Sequence, residues 1–301
     1  MAYKTILVHV DESPHARARI LLAGELALQD GAHVIGAAAT GVSRFLYQNE
    51  IVDEQDPNLA RHLDVLRERA NRALADFRPQ LHAIGVHDVE ERILDDEAGA
   101  GLSLLARHAD LVLVSQPDIR QRGSAGDFPA EVLTEAGCAV LVVPNAARTD
   151  GAISVNSSGV ATPGAPLPGR EVLIAWNASK QAARAVREAL PLLRRAERVT
   201  VAIFDADLHP AAFGEEPGAD LLAWLARQGV QATVALRQTA RQGLLKRPGD
   251  VGEALLGLAE ELGCDLMVLG AYGHSRVRET LLGGVTRRVL ESMGLPLLMA
   301  H

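Results

Sequence analysis

The sequence carries only two cysteines in 301 residues, Cys138 and Cys264. One falls in each half, beside an apolar run, so a disulfide framework and a cysteine-based metal site are excluded and both thiols read as small buried hydrophobes. Basic residues are in deficit, with 30 Lys and Arg against 38 Asp and Glu and a net charge of -8. Proteins that track nucleic-acid phosphates present a basic face, so the balance argues against a nucleic-acid partner. No apolar run approaches the roughly 18 residues that a membrane span requires. The chain opens Met1-Ala-Tyr-Lys-Thr-Ile-Leu-Val and passes straight into a strand pattern. A cytoplasmic protein with no membrane partner is therefore expected. Also missing are a Ser-His-Asp order, paired catalytic carboxylates and metal-ligand spacing, so no catalytic residue and no metal ligand is assigned.

What is present is one pattern written twice. Lys4-Thr-Ile-Leu-Val-His-Val-Asp-Glu-Ser13 returns as Arg170-Glu-Val-Leu-Ile-Ala-Trp-Asn-Ala-Ser179, and Asp110-Leu-Val-Leu-Val-Ser115 returns as Asp265-Leu-Met-Val-Leu-Gly270. Offsets this long mark whole duplicated domains and not solenoid units. With 48% apolar residues, the chain has material for two cores of ordinary domain size.

In the first repeat, short apolar runs at 5–10, 33–39, 89–94, 111–114 and 139–143 alternate with helical patterns at 16–29, 59–84 and 99–108. The second repeats this with strands at 171–176, 199–204, 230–235, 266–269 and 297–300 and helices at 180–194, 219–228, 251–262 and 284–292. Continuous apolar strands between helices imply a parallel sheet covered on both faces. The expectation is an α/β protein of two tandem doubly wound domains, each a five-stranded parallel sheet flanked by about four helices. Residues 1–145 and 170–301 form the domains. Residues 146–169, rich in Gly, Ala, Ser and Pro without apolar periodicity, form a flexible linker.

The chemistry is sought where the repeats differ. The second has Gly270-Ala-Tyr-Gly273, nine residues, then Gly283-Gly284, between a buried strand and a helix. This suits a phosphate: glycine lets the backbone approach an anion, and the N–H groups of Gly284, Val285 and Thr286 at the helix start would point at it. A tight turn alone would account for Gly270 and Gly273 equally simply. The first repeat reads Ser115-Gln-Pro-Asp118, then Gly126-Asp127. Asp127 falls where an anion would dock, so this repeat is expected to be empty or to bind something else; as a plain helix cap Asp127 would have the same consequence. At the end of each first strand stand Asp11 and Asn177, either of which could bond a base or ribose or cap the next helix.

Taken together, the opening Tyr3-Lys-Thr-Ile-Leu-Val-His-Val-Asp-Glu-Ser13, the Gly-x2-Gly-x9-Gly turn from Gly270 to Gly283 and the closing Leu295-Pro-Leu-Leu-Met299 resemble the universal stress protein family, across both repeats. The resemblance implies a five-stranded parallel sheet between helices and, as in the family's ATP-binding members, a nucleotide held by the glycine motif followed by Ser or Thr. Here Gly284 stands where that hydroxyl is expected, so one phosphate contact is missing. Gly270, Gly273, Gly283 and Gly284 map to phosphates, Asn177 to the nucleoside edge where the family usually has Asp, and Asp205-Ala206 to the adenine rim. His274 and Arg276 lie in the phosphate loop, within reach of a nucleotide.

The implied ligand is ATP, with Mg2+, in the second repeat of a stress-response sensor or binding module whose protein partner is unknown. Two readings compete with it: a slow ATPase or nucleotidyl-chemistry enzyme of the same fold, and a nucleotide-free interaction module. The resemblance further implies that the repeats pair through their last strands into an internal pseudo-dimer, with a further homodimer open.

Overall fold

The structure, a computed structural model, describes residues 2–42, 57–117, 124–145, 167–239, 248–271 and 284–301, with backbone alone at 57–60, 124–127 and 248–250. The described residues fall into two compact units, one of residues 2–138 and the other of residues 139–145 and 167–301.

The first unit is built on β1 (Thr5–His9), β2 (His33–Ala39), β3 (Val89–Leu94) and β4 (Leu111–Ser115), all parallel, in the order β3-β2-β1-β4. Ile6, Leu7, Val8 and Leu111 to Val114 are fully buried, as expected of central strands covered on both faces. Around them lie α1 (Ala16–Asp30), α2 (Pro57–Leu74), α3 (Phe77–Ala83), α4 (Ala98–Leu105) and α5 (Ser124–Glu135). The helix expected over 59–84 is two helices. Pro79 has no N–H, and in one continuous helix its ring would strike the carbonyl of Ala75, so the chain breaks at 75–76 and Pro79 falls in the first turn of α3.

The second unit takes in β5 (Ala139–Val143), β6 (Glu171–Ala175), β7 (Arg198–Phe204), β8 (Thr233–Arg237), β9 (Leu266–Gly270) and β10 (Leu297–Ala300), in the order β5-β10-β9-β6-β7-β8. The strands of the second repeat run parallel, and β5 pairs antiparallel with β10 through Val140–Met299, Leu141–Leu298 and Val142–Leu297. β5, the last strand of the first repeat, is thus counted with the second compact unit. Its residues are buried throughout, and an apolar strand of this kind would be costly to leave as an open edge.

The helices of this unit are α6 (Lys180–Glu188), α7 (Leu190–Leu193), α8 (Pro210–Phe213), α9 (Ala219–Arg227), α10 (Pro248–Glu261) and α11 (Gly284–Ser292). The single helix expected over 180–194 divides at Ala189, again because of a proline: Pro191 opens α7. The strand expected at 230–235 begins three residues later. Gly229 is left-handed and Val230 donates its N–H to the Leu225 carbonyl at 2.9 Å, so Val230 closes α9 instead of opening β8. The thiols of Cys138 and Cys264 are half-buried and not enclosed; burial still pushes Cys264 up to about 11, with Glu171 and Asp265 adding to it and Arg198 opposing. No helix among the described residues is long and apolar enough to cross a membrane.

The duplicated aspartates act at the amino ends of the strands. Asp110 accepts from the N–H groups of Lys4 and Thr5 at 2.7 and 2.9 Å, and Asp265 from those of Gly169, Arg170 and Glu171 at 2.9, 3.1 and 3.1 Å. Each ties the fourth strand to the first of its repeat, which makes this copied motif structural.

Candidate functional site

In an open parallel sheet the ligand crevice lies beyond the carboxyl ends of the strands where their order reverses. That point falls between β1 and β4 in the first repeat and between β6 and β9 in the second.

At the β1–β4 edge the structure places a side chain absent from the sequence reading. Arg19 of α1 is fully buried, with its Nε donating to the His9 carbonyl at 3.0 Å, Nη2 to Asp11 Oδ1 at 2.8 Å and Nη1 to Ser115 Oγ. Asp11 Oδ1 also accepts from the N–H of Ser13 at 3.2 Å and its hydroxyl at 2.6 Å. Asp11 is therefore not a helix cap; it is the partly exposed anion paired with the buried Arg19 cation. Burial would raise its carboxyl, but Arg19, then His9 and the bonds from Ser13 and Arg19, bring it down to about 2. His9 is buried, with the ring of Phe128 4.8 Å away, and its Nδ1 makes no hydrogen bond. Burial, reinforced by Arg19 and opposed by Asp11, brings the imidazole down to about 4.

Among the described residues, the ends of β6 and β9 present uncharged groups. Asn177 is exposed, and its Oδ1 accepts the N–H of Ser179 at 3.1 Å; Ser179, not Asn177, caps α6, accepting from the Ala182 N–H at 3.1 Å. Between them Ala178 is held left-handed, at φ 57°. Gly270 ends β9 beneath the first turn of α6: a Cβ there would lie 2.3 Å from the Ala182 nitrogen and 2.6 Å from the Gln181 carbonyl carbon. The absence of a side chain at Gly270 is thus required by helix–strand packing, whatever else this glycine does.

Along the edge, Asp205 follows β7 in a left-handed conformation and is buried. Its carboxylate accepts both the N–H of Thr239 at 3.0 Å and the Thr239 hydroxyl at 2.7 Å, closing the ends of β7 and β8 together. The side chain assigned to an adenine rim is turned to this clasp, and Ala206, half-buried, begins a short 3-10 turn beside it. Strand register matches Thr40 and Asp96 of the first repeat to Asp205 and Thr239, so the same two residue types stand at these positions in reverse order, all buried.

α11 starts at Gly284, the expected residue, with Gly284 exposed, Val285 half-buried and Thr286 buried. The N–H groups of its first turn have no partner within the helix and a positive dipole end behind them. Gly273, His274, Arg276 and Gly283 lie outside the described residues, as do Asp118 and the linker from 146 to 166. Asp127 does not cap α5; it lies three residues inside a helix that begins at Ser124. A cavity of about 470 Å³ against β3 and α4, lined by Ile93, Leu94, Leu104, Leu105, Arg107 and His108 among others, shares no residue with either switch point.

Comparison with known proteins agrees with this architecture. The model of the universal stress protein family matches residues 2–144 and again 169–301. Universal stress protein Slr1230 of Synechocystis sp. (strain ATCC 27184 / PCC 6803 / Kazusa) is 38% identical over 50 residues, a stretch covering 17% of each chain. A universal stress protein from Archaeoglobus fulgidus DSM 4304 superposes over 98% of this chain and 97% of its own at 14% identity, with a TM-score of 0.68. A functionally unknown protein, PA1789, from Pseudomonas aeruginosa PAO1 does so over 99% and 92% at 14% identity and a TM-score of 0.58. The chain belongs to the universal stress protein family, as a tandem of two such domains.

Proposed function

Starting from membership of the universal stress protein family, we propose that the chain binds one adenine nucleotide, ATP with Mg2+, in its second repeat, and that the nucleotide acts as a regulatory ligand in the cytoplasm. The contrast between the two switch points carries this reading. The β1–β4 edge is filled by a buried cation and its counter-ion, whereas the β6–β9 edge presents neutral groups. Asn177 offers an amide whose nitrogen has no protein partner among the described residues. It would meet the base or ribose, while the N–H groups of Gly284, Val285 and Thr286, with Gly270, Gly273 and Gly283, would cradle the phosphates. Ala206 would border the base, and Asp205 would shape that rim through Thr239.

Two left-handed residues other than glycine, Ala178 after β6 and Asp205 after β7, stand at the carboxyl ends of the second repeat's strands, and among the described residues they are the only ones. Such conformations cost roughly 1–3 kcal/mol and persist where function or surrounding structure demands them. A cradle that binds ground and transition states alike does not raise a chemical rate, so ATP is read as a regulatory ligand sensed by a protein partner and not as a rapidly turned-over substrate. Calorimetric titration with Mg-ATP tests this. A stoichiometry near one, abolished by Gly283→Asp, is expected; two sites per chain, no binding, or binding unchanged in the variant would sink it.

A further inference from the structure

In the first repeat a fully buried arginine lies at the carboxyl ends of β1 and β4. Every group that the Arg19 fork meets is an acceptor: the His9 carbonyl at 3.0 Å, Asp11 Oδ1 at 2.8 Å and the Ser115 hydroxyl. These groups come from the ends of two neighbouring strands, and the Ser13 hydroxyl, bonded to the same Asp11 oxygen at 2.6 Å, holds the carboxylate in place. A guanidinium is planar and presents donors along several edges in a fixed fork, which fits three acceptors converging from separate directions better than an ammonium point charge would.

The matched positions of the second repeat contain nothing of the kind. Counted from the paired strand ends, Asp11 becomes Asn177, Ser115 becomes Gly270 and Arg19 becomes Ala185, which is fully buried and uncharged. We infer that the β1–β4 edge is a guanidinium-binding site occupied in cis by Arg19, so that the first repeat's crevice recognises a cation and not a nucleotide. Any anionic ligand entering it would have to displace a buried cation and then face Asp11 unpaired. This inference stands whether or not the second repeat binds ATP.

The test vacates the site in the full chain with Arg19→Ala and offers guanidinium chloride back, up to about 50 mM, with tetramethylammonium chloride as the control. At such concentrations guanidinium acting as a denaturant can only lower an unfolding midpoint. A saturable rise is therefore a binding signal. The variant is expected to unfold below wild type and to regain at least half of the difference with guanidinium, while wild type gains nothing and the tetramethylammonium control is inert. Mg-ATP titration should show the same nucleotide count in variant and wild type. Parallel lowering of both midpoints by guanidinium, or a vacated site that takes ATP and not guanidinium, overturns the inference.

If the variant fails to fold, wild type carries the test by nitrogen-15 NMR of its arginine side chains. One guanidinium should show slowly exchanging Nη protons that vanish in Arg19→Lys; fast exchange at every arginine overturns the proposal. A wild-type chain that binds no nucleotide would instead refute the function proposed above and leave this result untouched.

Discussion

The two switch points of this chain are the same backbone device put to opposite electrostatic use. At the amino ends of the strands the repeats agree: Asp110 and Asp265 staple the first strand of their repeat in the same way. At the carboxyl ends they diverge. One edge holds His9, Asp11, Arg19 and Ser115 in a closed charged cluster, and the other holds Asn177, Ala178, Ser179 and Gly270 with no charge. Spacing shows the same thing: the first repeat keeps a side chain at Ser115 and fills the gap with arginine, while the second deletes that side chain and brings α6 onto the strand end. The scaffold tolerates both solutions because crevice residues sit on strand ends and loops while the interior of each sheet is packed by other residues.

The comparison is broken most directly by removing the cation. Arg19→Ala should cost about 2–3 kcal/mol in urea unfolding of the first repeat, because the buried stem of Arg19 is removed and Asp11, a third exposed, loses its partner. The double change Arg19→Ala with Asp11→Ala should recover part of that loss, and a single change with no cost would mean that the ion pair does not hold this edge.

Acid should expose the next difference. In the first repeat His9 titrates near 4 when folded and near 6.5 when unfolded, so between those values the unfolded chain binds a proton that the native chain refuses. Stability then falls as pH drops from 6.5 to 4, by about 3 kcal/mol. Asp11, lowered to about 2, extends the decline below its ordinary range in the same direction. The second repeat has Ala175 at the position of His9 and should lack this step. His9→Gln should flatten the profile; an unchanged profile would assign the acid sensitivity elsewhere.

At the second edge, Gly270→Ala should cost about 1–3 kcal/mol by driving a methyl into the backbone of α6. The readout is the unfolding midpoint of the second repeat. Full stability accompanied by lost ATP binding would instead give Gly270 a purely ligand-facing role. The smallest effect belongs to Ala178→Gly, which should stabilise by about 0.5–1 kcal/mol because glycine adopts the left-handed conformation without strain. Glu12→Gly at the matched position, where no left-handed conformation occurs, should give no such gain. Equal responses at the two positions would remove the claim of strain at the second edge.

Much of this architecture was legible in the chain. Apolar runs of four to seven residues flanked by helical periods fixed the alternation of elements, and duplication of the Asp-led strand located the fourth strand of each repeat, because both signals are local. Helix ends were less legible: Pro79 and Pro191 carried the information that two long patterns must break, and Gly229 the information that Val230 finishes a helix. Gly284 at the start of α11 could be read from sequence, as could the neutrality of Asn177.

Arg19 could not. In sequence it is one of two arginines, with Arg17, in the first turn of a helical pattern, and its partner Ser115 is 96 positions away. The Asp205–Thr239 clasp, 34 positions apart, is hidden for the same reason. By itself the sequence determined two α/β repeats, their strand count and which repeat keeps the glycine turn, since these depend on periodicity and composition within short windows. Only the tertiary structure decided which polar groups at the strand ends are already bound to one another, because a buried charge is defined by what the fold brings around it and not by its neighbours in the chain.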